Sequence, residues 1–184
     1  QIFGAQLEQG SYATSYIPNF GNSAGATRSA DVCNNGGNEQ VINSTEGVLY
    51  AEISALVSDD SVFREISLAL DGSNRITLGY NDSLNTIFTE IKVGNVAQTL
   101  MTYTLSDSKD FIKMGVKYKQ NDFALWVDGF KVSTDNSGIV FNANTLNKLN
   151  FDRGTGGTPF YGNVKDVRVY NTALTDTELQ ALTK

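Results

Sequence analysis

A chain of 184 residues, with 40% hydrophobic and 18% charged residues, has material for one sizeable core or two small ones, and its composition is that of a globular chain rather than a disordered one. A formal charge of −6 without any Lys/Arg cluster argues against a nucleic-acid partner. Histidine is absent, which removes Ser-His-Asp and Cys-His catalysis, most zinc sites and histidine general bases.

Cys33 is the single cysteine, so no internal disulfide forms, and with no histidine to activate it a small, partly buried residue is expected rather than a catalytic thiol. No run reaches the roughly 18 apolar residues that span a bilayer, so membrane insertion is not expected. The sequence starts on Gln, and a piece of something longer is expected.

The opening "QIFGAQLEQGSYATSYIPN" has one short apolar stretch, then a Ser/Tyr/Thr-rich run, then Pro18 and a linker-like "NFGNSAG". Residues 1–27 read as an entry strand and linker, or as the end of a preceding β-sandwich module, and 28–184 as one domain. Residues 1 to about 10 are expected to pair with another module's sheet or to lie along the edge of this one.

From residue 46 the pattern alternates. "GVLYAEISALVS" puts Leu49, Ala51, Ile53 and Val57 on one face, with Tyr50, Glu52 and Ser54 opposite. "REISLAL" groups Ile66, Leu68 and Leu70. After the turn "DGSN", "RITLGY" returns with Ile76, Leu78 and Tyr80, and Asp-Gly between alternating runs signals a hairpin. "NTIFTEIKV" and "VAQTLMTYTL" meet at Gly94-Asn95, and "DFIKMGVKY" and "DFALWVDG" meet at Gln120-Asn121. Asp128-Gly129 then turns into "FKVST", and "GIVFNA", "NKLNFDRG" and "YGNVKDVRVY" supply the last strands.

Roughly ten to twelve short strands at this spacing predict an all-β, two-sheet antiparallel sandwich. One helix is predicted, at the end: Thr175 and Glu178 form a T-x-x-E capping box, and Leu174, Leu179 and Leu182 would pin the helix over an open part of the core.

The closing "FYGNVKDVRVYNTALTDTELQAL" resembles the signature of the concanavalin A-like jelly rolls related to laminin G, through residues such as Phe160, Gly162, Arg168, Tyr170, Asn171, Ala173, Leu174 and Glu178. Lys165 and Asp166 replace the family's usual acidic pair. "DFIKMGVKYKQNDFALWVDGFKVS" resembles the paired strands that end in [YW]-V-D-G, with Phe111 and Lys113 where the family often has Trp and His. The resemblance covers roughly residues 28 to 184. It implies a jelly roll and leaves function open, because such folds host many roles.

"GAQLEQGSYATSYIPN", followed by "ATRSADV", resembles a junction common in phage tail and virion proteins. It implies a non-catalytic recognition module on the phage exterior, with other virion chains or further copies of the same chain as partners. A structural decoration or fibre module without glycan binding, and a secreted, extracellular bacterial carbohydrate-binding module attached to an enzyme, are the alternative readings.

Glycanases on this fold present E-x-D-x-x-E, so that two carboxylates face the cleft about 5–5.5 Å apart. No glutamate in the chain begins that pattern, and the lyase relatives' Gln-x-His cannot be built without His, so no catalytic residue is expected. A binding site is the alternative. Sugars are held by aromatic faces and planar polar groups.

Phe123, Leu125 and Val127 point inward, which aims Trp126 outward as a stacking platform, with Tyr50 as a second; Arg153 and Tyr161 belong to a glycine-rich rim loop. The expected ligand is a glycan or a bacterial cell-surface polysaccharide. Calcium occurs in many relatives, but "DGSN", "NDS" and "STDNSG" also read as plain turns, so no ligands are assigned.

Overall fold

The computed structural model describes residues 36–58 and 61–184, so the expected leading strand and the boundary at residue 27 lie outside the described residues. Among the described residues, ten strands precede one helix. They are β1 (Glu46–Ala55), β2 (Arg64–Asp71), β3 (Asn74–Tyr80), β4 (Thr86–Val93), β5 (Val96–Thr104), β6 (Ile112–Lys119), β7 (Phe123–Val127), β8 (Phe130–Asp135), β9 (Lys148–Asn150) and β10 (Gly162–Tyr170), followed by α1 (Asp176–Thr183).

They form two antiparallel sheets of five, in the orders β10-β1-β6-β7-β8 and β5-β4-β3-β2-β9, stacked as a jelly-roll sandwich. The alternation read from the sequence builds the core. Leu49, Ala51 and Ile53 of the first sheet face Ile66, Leu68, Ile76, Leu78 and Tyr80 of the second, all buried in one apolar cluster.

The short turns behave as their residues require. Val93 pairs with Val96 across Gly94-Asn95, and Val127 with Phe130 across Asp128-Gly129. All four turn residues have positive φ, the geometry that matches the strand twist. The three candidate calcium segments are plain turns. Asp71 Oδ1 accepts from the Ser73 and Asn74 amides, Asn81 Oδ1 from the Ser83 amide, and Asp135 Oδ1 from the Ser137 amide. Among the described residues, no group of three or more acidic, Cys or His side chains is placed to hold a metal ion.

Besides Val57, which lies past the end of β1 and is exposed rather than on its core face, three expectations change. Leu70 is exposed rather than grouped with Ile66 and Leu68, because the β2–β3 register shifts between Ala69 and Asp71. "GIVFNA" is not a strand: Gly138 exchanges hydrogen bonds with Asn121, and the Ile139 amide donates to Gln98 Oε1, so side chains take the place of a ladder. Its Phe141 still reaches the core.

The third change concerns α1. It lies on the outer face of the first sheet, not over an open part of the core, and makes a separate apolar cluster with Val48, Ala124 and Trp126. Leu179 is fully buried there, while Leu174 and Leu182 are half-buried. Gly115 of β6 makes room: a Cβ at this position would lie 3.4 Å from Thr183 Cγ2 and 3.8 Å from Leu179 Cδ2.

The capping box forms as expected, with Thr175 N–H donating to Glu178 Oε2 at 2.8 Å and Glu178 N–H to Thr175 Oγ1 at 3.4 Å. Thr183 Oγ1 anchors the last turn, accepting from the Gly129 amide at 3.1 Å and donating to the Leu179 carbonyl at 2.8 Å. A Lys131–Asp176 ion pair ties the first turn to β8.

Candidate carbohydrate-binding cleft

The two aromatic platforms expected on the first sheet are both covered. Trp126 does leave the core side of β7, as alternation requires, but α1 lies over it and leaves it 5% exposed. Lys131 Nζ stands 5.6 Å from its ring centroid. Tyr50 is 3% exposed, with the Arg168 guanidinium 5.7 Å from its ring, and burial raises its hydroxyl pKa above the ordinary value. Neither ring offers a free face to a sugar, which corrects the reading from alternation alone.

Arg153 and Tyr161 lie on the segment that joins β9 to β10 across the outer face of the second sheet. Arg153 donates from Nε and Nη2 to one oxygen of Glu65, at 2.9 and 2.7 Å, and Thr158 Oγ1 donates to the same oxygen at 3.0 Å. Glu65 is buried, so this guanidinium is committed to an internal carboxylate, and that hydrogen bond raises its pKa. Tyr161 alone of the four candidates presents a ring to solvent, at 55% exposure.

The opposite side of the sandwich, where edge strands β5 and β8 are neighbours, carries a half-open cleft of about 440 Å³. Tyr103 at the end of β5, Phe111 before β6 and Phe130 at the start of β8 line it, and all three rings are exposed, Phe130 by 71%. Asp107, Asp110 and Asp128 supply its charged groups.

The walls are held by local hydrogen bonds. The Leu105 amide donates to the Asn85 carbonyl at 2.7 Å, the Ser108 amide to Asn85 Oδ1 at 3.0 Å, and the Ala55 amide to the Ser108 carbonyl at 2.8 Å. Asp128 is fixed at the hairpin turn: its amide donates to the Lys113 carbonyl, and the Lys113 amide donates to Asp128 Oδ1, both at 2.9 Å. Asp107 accepts from the Lys109 amide at 2.9 Å, which holds its carboxyl below the usual range. One face of Phe111 is taken by Lys165 Nζ, 3.8 Å from the ring centroid, and Lys165 also pairs with Glu52 at 3.2 Å. Among the described residues, Tyr103 and Phe130 have no such cover.

Rings for the C–H faces of a sugar, beside fixed acceptors for its hydroxyls, are the chemistry of a saccharide site. The sequence reading missed these rings. The available signal was an aromatic at a strand end beside an Asp-rich turn, in "TYTLSDSKDF" and "VDGF".

Comparison with known proteins adds the family. A family model described as the concanavalin A-like lectin/glucanases superfamily matches residues 50–180. The chain belongs to that superfamily. A search of curated proteins finds no match.

Among solved structures, the chain is similar to the CBM40 of the Ruminococcus gnavus IT-sialidase bound to alpha2,6 sialyllactose, at 14% identity and TM-score 0.63, covering 83% of this chain and 94% of that one. It is also similar to domain 4 of AbnA, an extracellular arabinanase from Geobacillus stearothermophilus in complex with arabinotriose, at 11% identity and TM-score 0.58, covering 80% and 70%. The NanB sialidase from Streptococcus pneumoniae matches at 15% identity and TM-score 0.64 over 79% of this chain but 25% of its own. At such identities the likeness establishes the jelly roll of this concanavalin A-like chain and leaves its ligand to its own side chains.

Proposed function

We propose that this concanavalin A-like domain is a non-catalytic carbohydrate-binding module, and that it binds through the β5/β8 cleft. The observation that carries this reading is the set of exposed rings, Tyr103 and Phe130 above all, around fixed carboxylates in a cleft of saccharide size. The sialyllactose and arabinotriose named for its structural neighbours support the same class of ligand. A glycan array read with the intact chain tests it. Binding to at least one glycan is expected, with loss of signal in Phe130→Ala and Tyr103→Ala. Signal that survives both substitutions would remove the cleft from the proposal.

The chain is proposed to cleave nothing itself, whether or not it is joined to an enzyme. The motivation is the absence of histidine and of the carboxylate pattern of glycanases. Reducing ends or unsaturated products growing with the amount of purified chain would overturn this. An exterior setting, on a phage virion or tail or otherwise extracellular, is supported by the "GAQLEQG" and "ATSYIP" wording of the opening residues. In that setting the ligand is a bacterial surface polysaccharide, and other virion chains or further copies are neighbours. Immunolabelling of intact particles against a secreted fraction separates the two.

A further inference from the structure

The charge of the cleft narrows the ligand further, resting on the reading of the cleft as a saccharide site. The residues that line it include three carboxylates, Asp107, Asp110 and Asp128, and neither Lys nor Arg. The cations nearby already have partners, and one of them offsets a cleft carboxylate. Lys109 Nζ pairs with Asp107 Oδ2 at 3.3 Å, Lys165 serves Phe111 and Glu52, and Lys113 Nζ donates to the Lys184 carbonyl.

Two of the carboxylates retain capacity. Asp110 is exposed and has no ion-pair or hydrogen-bond partner among the described residues. Asp128 gives Oδ1 to the Lys113 amide and keeps Oδ2. The exposed faces of Tyr103 and Phe130 add a second preference of the same sign, because an aromatic face attracts a cation. The whole chain, at −6, reinforces that field.

We infer that the cleft is selective for glycans that carry free amino groups, that is, unacetylated hexosamine units, and that it rejects sugars bearing carboxylates. An ammonium on the sugar would meet Asp110 and Asp128 while the ring lies on Phe130 or Tyr103. A sialic acid carboxylate would meet the uncompensated carboxylates of Asp110 and Asp128, with no guanidinium in the cleft lining to receive it. This separates the chain from the sialyllactose-bound neighbour although the fold is shared.

The test uses the intact chain and three probes: a glucosamine hexamer, the same hexamer fully N-acetylated, and sialyllactose. Titration calorimetry in about 20 mM salt is expected to give about ten-fold or greater preference for the amine over its N-acetylated form, and that ratio should shrink toward one at roughly 0.5 M salt. Asp110→Asn should lower the ratio, and Phe130→Ala should weaken binding of the amine.

Equal affinity for the two hexamers, or tighter binding of sialyllactose, overturns the charge selectivity. If Phe130→Ala still abolishes that binding, the cleft remains a saccharide site. Amine binding unchanged by both substitutions means general attraction of a polycation to an acidic protein, and it overturns the inference. No binding of any probe also overturns it, while the array result for Phe130→Ala judges the cleft separately.

Discussion

Trp126 and Phe130 belong to one β-hairpin, yet the first ring is 5% exposed and the second 71%. Strand alternation sends Trp126 away from the core. What removes it from solvent is α1, an element that begins fifty residues later in the chain. Phe130 sits just past the Asp128-Gly129 turn on edge strand β8, where nothing among the described residues covers it. A ring's availability for a ligand is thus decided by what docks on its sheet, and ring type and strand parity leave it open.

The comparison predicts that changes under α1 act on stability and changes in the cleft act on binding. The largest stability effect is expected from Leu179→Ala, which removes the fully buried apolar side chain of the helix. Denaturant titration should show a loss of about 2–4 kcal/mol, with glycan affinity of the folded protein unchanged. If stability holds and binding disappears, α1 belongs to the recognition surface and the division between the two regions fails.

Alkaline pH should come next. Burial pushes the hydroxyls of Tyr80 and Tyr118 well above the ordinary phenol pKa. In the unfolded chain they ionise near pH about 10, so above that pH the native state holds protons that the unfolded state has released. Their contribution is therefore complete below about pH 10 and declines as pH rises beyond it. Unfolding midpoints measured across that range should fall, and Tyr118→Phe should make the decline shallower. A flat profile would contradict the burial of both rings.

Thr175→Ala should cost about 1 kcal/mol by the same titration, since it removes one side of the capping box. Phe130→Ala should change stability by no more than about 0.5 kcal/mol, the range of surface substitutions. A larger loss would mean that Phe130 supports the sandwich and does not serve as a free ring.

How much of this was legible in the sequence follows from the range of the interactions involved. The hairpins at Gly94-Asn95 and Asp128-Gly129 were readable because turn residues and flanking alternation are local. The capping box was readable for the same reason. Leu70 was misplaced because a bulge shifts register without a mark in the residues. "GIVFNA" was misplaced because Asn121 and Gln98, distant in sequence, take its backbone groups.

The site was least legible. Trp126 and Tyr50 satisfied every local rule for exposed rings and are covered by α1 or by Arg168. Arg153 lies on its expected rim segment, but its partner, Glu65, comes from a strand almost ninety residues earlier. Tyr103, Phe111 and Phe130 converge only because β5 and β8 are the same-side edges of two different sheets.

The placement of the single tryptophan beneath α1 has an optical consequence. Indole emission shifts with the polarity around the ring, and every such photon from this chain originates under the helix, outside the cleft lining. The folded chain should therefore emit in the blue-shifted range of a dry indole, and a red shift would mark the helix lifting from the sheet. Ligand filling the cleft should leave the spectrum still. The chain thus carries an intrinsic gauge of helix docking that can be read in the same cuvette as a sugar titration, without interference between the two signals.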